Sequence, residues 1–88
     1  MSTNLSNSTD ADQVFPEIVS VFTEVFRVND LLLSSTISDI KAWDSLGHMN
    51  LIVAIEKKFN IKCDFTDIVK LTSIESIQQY LLDKGVLT

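Results

Sequence analysis

Ser45 stands between Asp44 and Leu46 at the point where the sequence turns helical. The first N–H groups of a helix have no intrahelical acceptor, and the dipole is positive at that end. A phosphate ester on Ser45 would therefore sit in a favourable field. Taken alone, Ser45 is better read as an ordinary first-turn serine; its surroundings decide otherwise. Other chemistry is poorly provided for. The chain holds one histidine, His48, and one cysteine, Cys63, too few for a metal cluster. It has no Gly-x-Ser-x-Gly elbow and no locatable nucleophile–base pair, so no catalytic or metal-binding residue is assigned. His48 follows Ser45 by one helical turn. It is read as a structural histidine packed against the preceding loop, with contact to a group on Ser45 as the alternative. Cys63 cannot form an internal disulfide. It is read as a partly buried thiol, with a reactive thiol as the alternative.

The elements that must position Ser45 follow from periodicity. Residues 1–11 are nearly all Ser, Thr, Asn and Asp, which predicts a disordered N-terminal tail ahead of one domain over 12–85, with Asp10 or Asp12 as helix cap. A first helix is predicted over Gln13–Arg27, where Val14, Phe15, Ile18, Val19, Phe22, Val25 and Phe26 recur at helical steps and Pro16 falls in the first turn. Val28–Asp44 has no fixed period and reads as a long anchored loop, with Trp43 packed on the bundle. A second helix is predicted over Ser45–Phe59, capped by Asp44, and a short third one over Phe65–Lys70, capped by Asp64. Thr72-Ser73-Ile74-Glu75 reads as a capping box that opens a fourth helix. That helix turns Ile74, Ile77 and Leu81 inward and ends at Lys84-Gly85. The fold class is all-α: a small four-helix bundle with a long loop between helices 1 and 2 and a short third helix.

The second helix carries one apolar face too many. Leu51, Ile52, Ile55 and Phe59, with His48, form a core face, while Leu46, Met49 and Val53 form a second stripe roughly 130° away by helical arithmetic. Either the long loop covers that stripe or a partner does. Ser45 lies angularly between the two. Phe22, Ile52, Ile55 and Ile74 could line an internal cleft or equally close it.

Composition bounds the function. Eighty-eight residues with a 45% hydrophobic fraction make one domain, and two glycines with one proline favour helices over short strands. A formal charge of −5 opposes nucleic-acid binding. No basic segment precedes an apolar stretch, and no apolar run approaches membrane-spanning length. A cytoplasmic monomer with no membrane association is expected.

Asp44-Ser45-Leu46, opening an amphipathic helix that ends in Glu56-Lys57-Lys58-Phe59, resembles the modification site of acyl carrier proteins. The resemblance extends from about Asp12 to Leu82 and includes Leu71-Thr72-Ser73-Ile74 before the last helix. It implies a discrete, non-catalytic carrier. Ser45 would be esterified with 4'-phosphopantetheine by a phosphopantetheinyl transferase, and the arm would carry acyl groups as thioesters between acyl-transferring or condensing enzymes. It also implies that Asp44 caps the helix and serves transferase recognition, and that Leu46, Met49 and Val53 meet partner enzymes.

Certain departures from the family pattern narrow the reading. Gly47 and Asn50 stand where carriers of bulk fatty acid synthesis have acids, so Ser45–Phe59 holds one acid against two bases. A basic partner would find little to grip, and docking should lean on the apolar stripe. This points to a specialised, polyketide-like pathway rather than general fatty acid biosynthesis. A peptidyl or aminoacyl carrier is the near rival, disfavoured because Lys41-Ala42-Trp43-Asp44 lacks the glycines usual before the serine of such domains. A helical interaction domain without a prosthetic group is the rival from another class.

Overall fold

The structure, a computed structural model, describes residues 13–28 and 30–87. The tail expected over residues 1–11 and the caps expected at Asp10 or Asp12 lie outside the described residues. Four helices follow one another: α1 (Pro16–Phe26), α2 (Ser45–Phe59), α3 (Phe65–Ile68) and α4 (Ile74–Asp83). Among the described residues the only β-type pairing is an isolated antiparallel bridge between Thr36 and Ser73. The all-α bundle with a long first loop and a short third helix is the architecture observed.

The helix α1 starts three residues later than its periodicity suggests. The backbone N–H of Phe15 donates to Gln78 Oε1 at 2.9 Å. Gln78 Nε2 in turn donates to the carbonyl of Gln13 at 3.2 Å. These bonds hold 13–15 outside the helix, and Pro16 disfavours helical backbone at Phe15 before it. Proline then occupies the first helical turn, where its missing N–H costs nothing. Arg27 ends α1 in the left-handed region, its N–H returning to the Thr23 carbonyl. Ile18, Val21, Phe22 and Phe26 are buried. Val21 takes the core place that the spacing gave to Val19, which is only half-buried.

Leu51, Ile52 and Ile55 of α2 meet Ile74, Ile77 and Leu81 of α4 and the buried face of α1 in one core. Phe59 is half-buried against it. Phe22, Ile52, Ile55 and Ile74 close the interior rather than line an open cleft. The small void bounded by Phe22, Ile55, Phe59, Ile77 and Leu81, among others, has no room for a water molecule. The Ile37 N–H donates to Thr72 at 2.8 Å and the Ile74 N–H to Ser35 at 2.9 Å, so the long loop is stitched to the start of α4. Trp43, only 2% exposed, reaches into the core. Its ring meets Phe22 edge-on at 5.1 Å and Phe26 at 6.0 Å between centroids.

Three further helix ends differ from expectation. Ser73, not Thr72, caps α4, in a reciprocal box with Ser76 rather than Glu75. The α4 helix itself ends at Asp83, and Gly85 follows in the left-handed conformation. The helix α3 stops at Ile68 rather than Lys70, and tighter turns follow through Lys70, Leu71 and Thr72.

Gly47 has a steric reason to be glycine. A Cβ there would drive into the Ala42 carbonyl and come within 2.9 Å of the Phe26 ring. The loop can descend beside Ser45 only because this side chain is missing. Gly47→Ala is expected to lower unfolding stability by about 1–3 kcal/mol, the usual cost of overpacking, measured by urea denaturation. Asn50→Ala, at an exposed site on the same helix, should stay within about 0.5 kcal/mol of the parent.

Candidate functional site

The site is built on the first turn of α2. Asp44 has extended backbone, and its side chain accepts from the Gly47 N–H at 2.8 Å. Its carbonyl accepts from the His48 N–H at 2.7 Å, the first bond of the helix. Ser45 is the first residue past this cap and is exposed. The Ser45 and Leu46 N–H groups lie in the turn where helical geometry offers no acceptor. An oxyanion ester on the serine thus fits at the positive end of a fifteen-residue helix.

The second apolar stripe is open. Leu46 is 72%, Met49 49% and Val53 47% exposed. The loop does not cover it, because its backbone bonds go to residues 72 and 74 and Trp43 goes to the core. Phe65 on α3 adds a further exposed ring, 77% accessible, which the spacing did not single out. The carboxylate of Glu56, the one acid of α2, accepts from the Cys63 N–H at 2.9 Å and is occupied within the chain.

His48 is structural, and it does more than pack against the loop. Trp43 Nε1 donates to His48 Nδ1 at 2.8 Å, and the two rings stack at 24°. His48 Nε2 lies 2.8 Å from the Ile68 carbonyl at the end of α3. Nothing in the local sequence announces the second contact. Cys63 is half-buried, and burial, the largest influence, raises its thiol above the ordinary range. Burial likewise pushes the Tyr80 hydroxyl up, and that hydroxyl donates to Asp67 at 3.3 Å. A thiol so held stays protonated near neutrality and is a poor nucleophile. Among the described residues no three His, Cys, Asp or Glu side chains are grouped to hold a metal ion, and no helix is long and apolar enough to cross a membrane.

The bundle thus presents an exposed serine at a capped helix start, beside an open apolar stripe. Residues 16–81 match the family model described as the phosphopantetheine attachment site. The chain is 33% identical over 72 residues to an acyl carrier protein of Campylobacter lari, covering 82% of this chain and 87% of that one. It is 24% identical over 75 residues to an acyl carrier protein of Cyanidium caldarium, covering 83% and 87%. The solution structure of a holo acyl carrier protein from Geobacter metallireducens superposes with a TM-score of 0.66 at 35% identity, over 80% of this chain and 85% of that one. The chain therefore belongs to the acyl carrier protein family, whose members are non-catalytic carriers with a covalently attached 4'-phosphopantetheine and work with transferases and acyl-handling enzymes.

Because Asp44 is seen to cap α2, Asp44→Ala should cost about 1 kcal/mol of stability. Asp44→Asn, an equally good cap, should cost only a few tenths by the same ranking. Thermal or urea unfolding of the pair, set beside the rate of arm attachment, separates capping from any role of the charge in recognition.

Proposed function

We propose that Ser45 is the residue that receives the 4'-phosphopantetheine arm, and that this chain shuttles acyl groups as thioesters in a specialised, polyketide-like pathway. The observation that carries the assignment is the exposed Ser45 hydroxyl, one residue past the Asp44 cap and beside the open Leu46–Met49–Val53 stripe. In attachment, the Ser45 oxygen attacks the β-phosphorus of coenzyme A, the pyrophosphate bond breaks, 3',5'-adenosine bisphosphate leaves, and the serine proton passes to solvent or to the transferase. The bound arm supplies a terminal thiol for thioester chemistry. The chain's own contribution is to present that serine, hold its turn rigid through Asp44 and Gly47, and offer an apolar surface to each enzyme in turn.

Asp44 would be read by the phosphopantetheinyl transferase, and the Leu46, Met49 and Val53 stripe by each partner enzyme, the transferase and the acyl-transferring or condensing enzymes alike. A monomeric carrier unit over residues 12–85, working in the cytoplasm, is the simplest form of this reading. The specialised pathway is supported by charge. Gly47 cannot be replaced by an acid without a clash, Asn50 is neutral, Glu56 is engaged by Cys63, and Lys57 and Lys58 are exposed. Partners that grip an acidic helix would find none here.

Incubation with coenzyme A and a promiscuous transferase, followed by intact mass measurement, should show one added arm. Ser45→Ala should show none while unfolding at the same denaturant concentration. No addition across several transferases on folded protein would move the reading to a helical interaction domain lacking the prosthetic group. Docking dominated by an apolar stripe further predicts a transferase KM nearly flat from low to high salt, whereas Met49→Glu should raise it by about tenfold, or 1.4 kcal/mol.

A further inference from the structure

The short helix α3 has little to hold it. It is four residues long, none of them buried, and the Asp64 side chain makes no cap hydrogen bond. Its visible ties are the Tyr80–Asp67 bond at 3.3 Å, the half-buried Ile68 side chain, and the His48 ring against the Ile68 carbonyl at 2.8 Å. Among the described residues, the last of these is the one hydrogen bond that leads from α3 back to the turn bearing Ser45.

That tie has a defined protonation pattern. An indole nitrogen donates and cannot accept, so Trp43 Nε1–H obliges His48 Nδ1 to be the acceptor. In the neutral ring the proton then sits on Nε2, the atom that faces the Ile68 carbonyl, a pure acceptor. Both ring nitrogens are thus used in one sense. A continuous path runs from the core rings of Phe22 and Phe26 through Trp43 and His48 to the end of α3.

We propose that His48 is a positioning residue, a latch that ties α3 to the Trp43-anchored core one turn beyond Ser45 and so fixes where α3 presents its exposed residues. Phe65 and Val69 ride on or next to that helix and face solvent. Their placement relative to Ser45 then depends on one imidazole tautomer. This holds whether or not Ser45 carries an arm, so it stands apart from the functional reading above.

The test uses the unmodified full chain. In the parent, imidazole nitrogen shifts should report a neutral ring protonated at Nε2, and the Trp43 indole N–H should exchange slowly. In His48→Phe, which keeps a ring but removes both bonds, the amides of Ile68 and Val69 should exchange about tenfold faster, the loss expected for one net hydrogen bond. Slowly exchanging amides in the middle of α1, α2 and α4 report global opening and should all speed by one common factor, set by the Trp43 indole left without its acceptor. His48→Gln, which can donate to the Ile68 carbonyl, should restore most of the α3 protection. Unchanged α3 exchange in His48→Phe overturns the proposal, as does a His48→Gln chain whose α3 amides exchange as fast as those of His48→Phe. Should His48→Phe fail to fold, the parent spectrum decides: a proton on Nδ1, or rapid averaging between tautomers, rules the latch out.

Discussion

A buried indole must give its N–H to something, and leaving that donor unpaired would cost about 1–3 kcal/mol. Trp43 enters the core of this bundle from a loop, two residues before Ser45, and finds its acceptor on His48. Much of the site's geometry follows. The loop is drawn down against α1 and α2, which forces the Ala42 carbonyl onto the position of Gly47 and leaves room there for a hydrogen only. The same descent sets Asp44 where its carboxylate meets the Gly47 N–H and its carbonyl the His48 N–H. The serine is exposed between Trp43 and Gly47, two residues to either side, both of which are buried.

The charge pattern of α2 is tied to the same constraint. An acid at position 47 would be sterically excluded, so its absence is a feature of packing before it is a feature of recognition. With Glu56 engaged by the Cys63 amide, the outward face offers hydrocarbon at Leu46, Met49 and Val53 and cations at Lys57 and Lys58. Chemistry that needs only a tether and a smooth contact surface fits such a face. In the proposed reading no side chain of the protein has to react except the Ser45 hydroxyl.

The sequence announces α2 well because both its ends are local: Asp44 caps one, and Asn60, a residue that tolerates left-handed backbone, closes the other. The start of α1 is only partly legible: Pro16 disfavours helical backbone at Phe15, but the bonds that pull Gln13–Phe15 aside come from Gln78, a buried polar residue far along the chain. Thr72-Ser73-Ile74-Glu75-Ser76 contains two overlapping capping patterns, and local chemistry alone cannot choose between them. The loop chooses, because Ser35 takes the Ile74 N–H and Ile37 takes the Thr72 carbonyl. The serine, its cap and the doubled apolar face of α2 are visible in the residue order. The openness of that face is not, since it depends on where the loop goes. The Ile68 partner of His48 was equally hidden, being twenty residues away and a backbone atom.

The Gln78 bonds also have a consequence in time. They join residues 63 and 65 positions apart, nearly the span of the ordered domain. During synthesis the segment leading into α1 emerges long before the side chain that holds it. Until α4 has left the ribosome, the lead-in has no acceptor for Phe15 and no donor for Gln13. Closing so long a loop is slow relative to forming any single helix. A nascent chain interrupted before Gln78 would therefore lack the side chain that pins Gln13 and Phe15, and α4, made after α1, completes it.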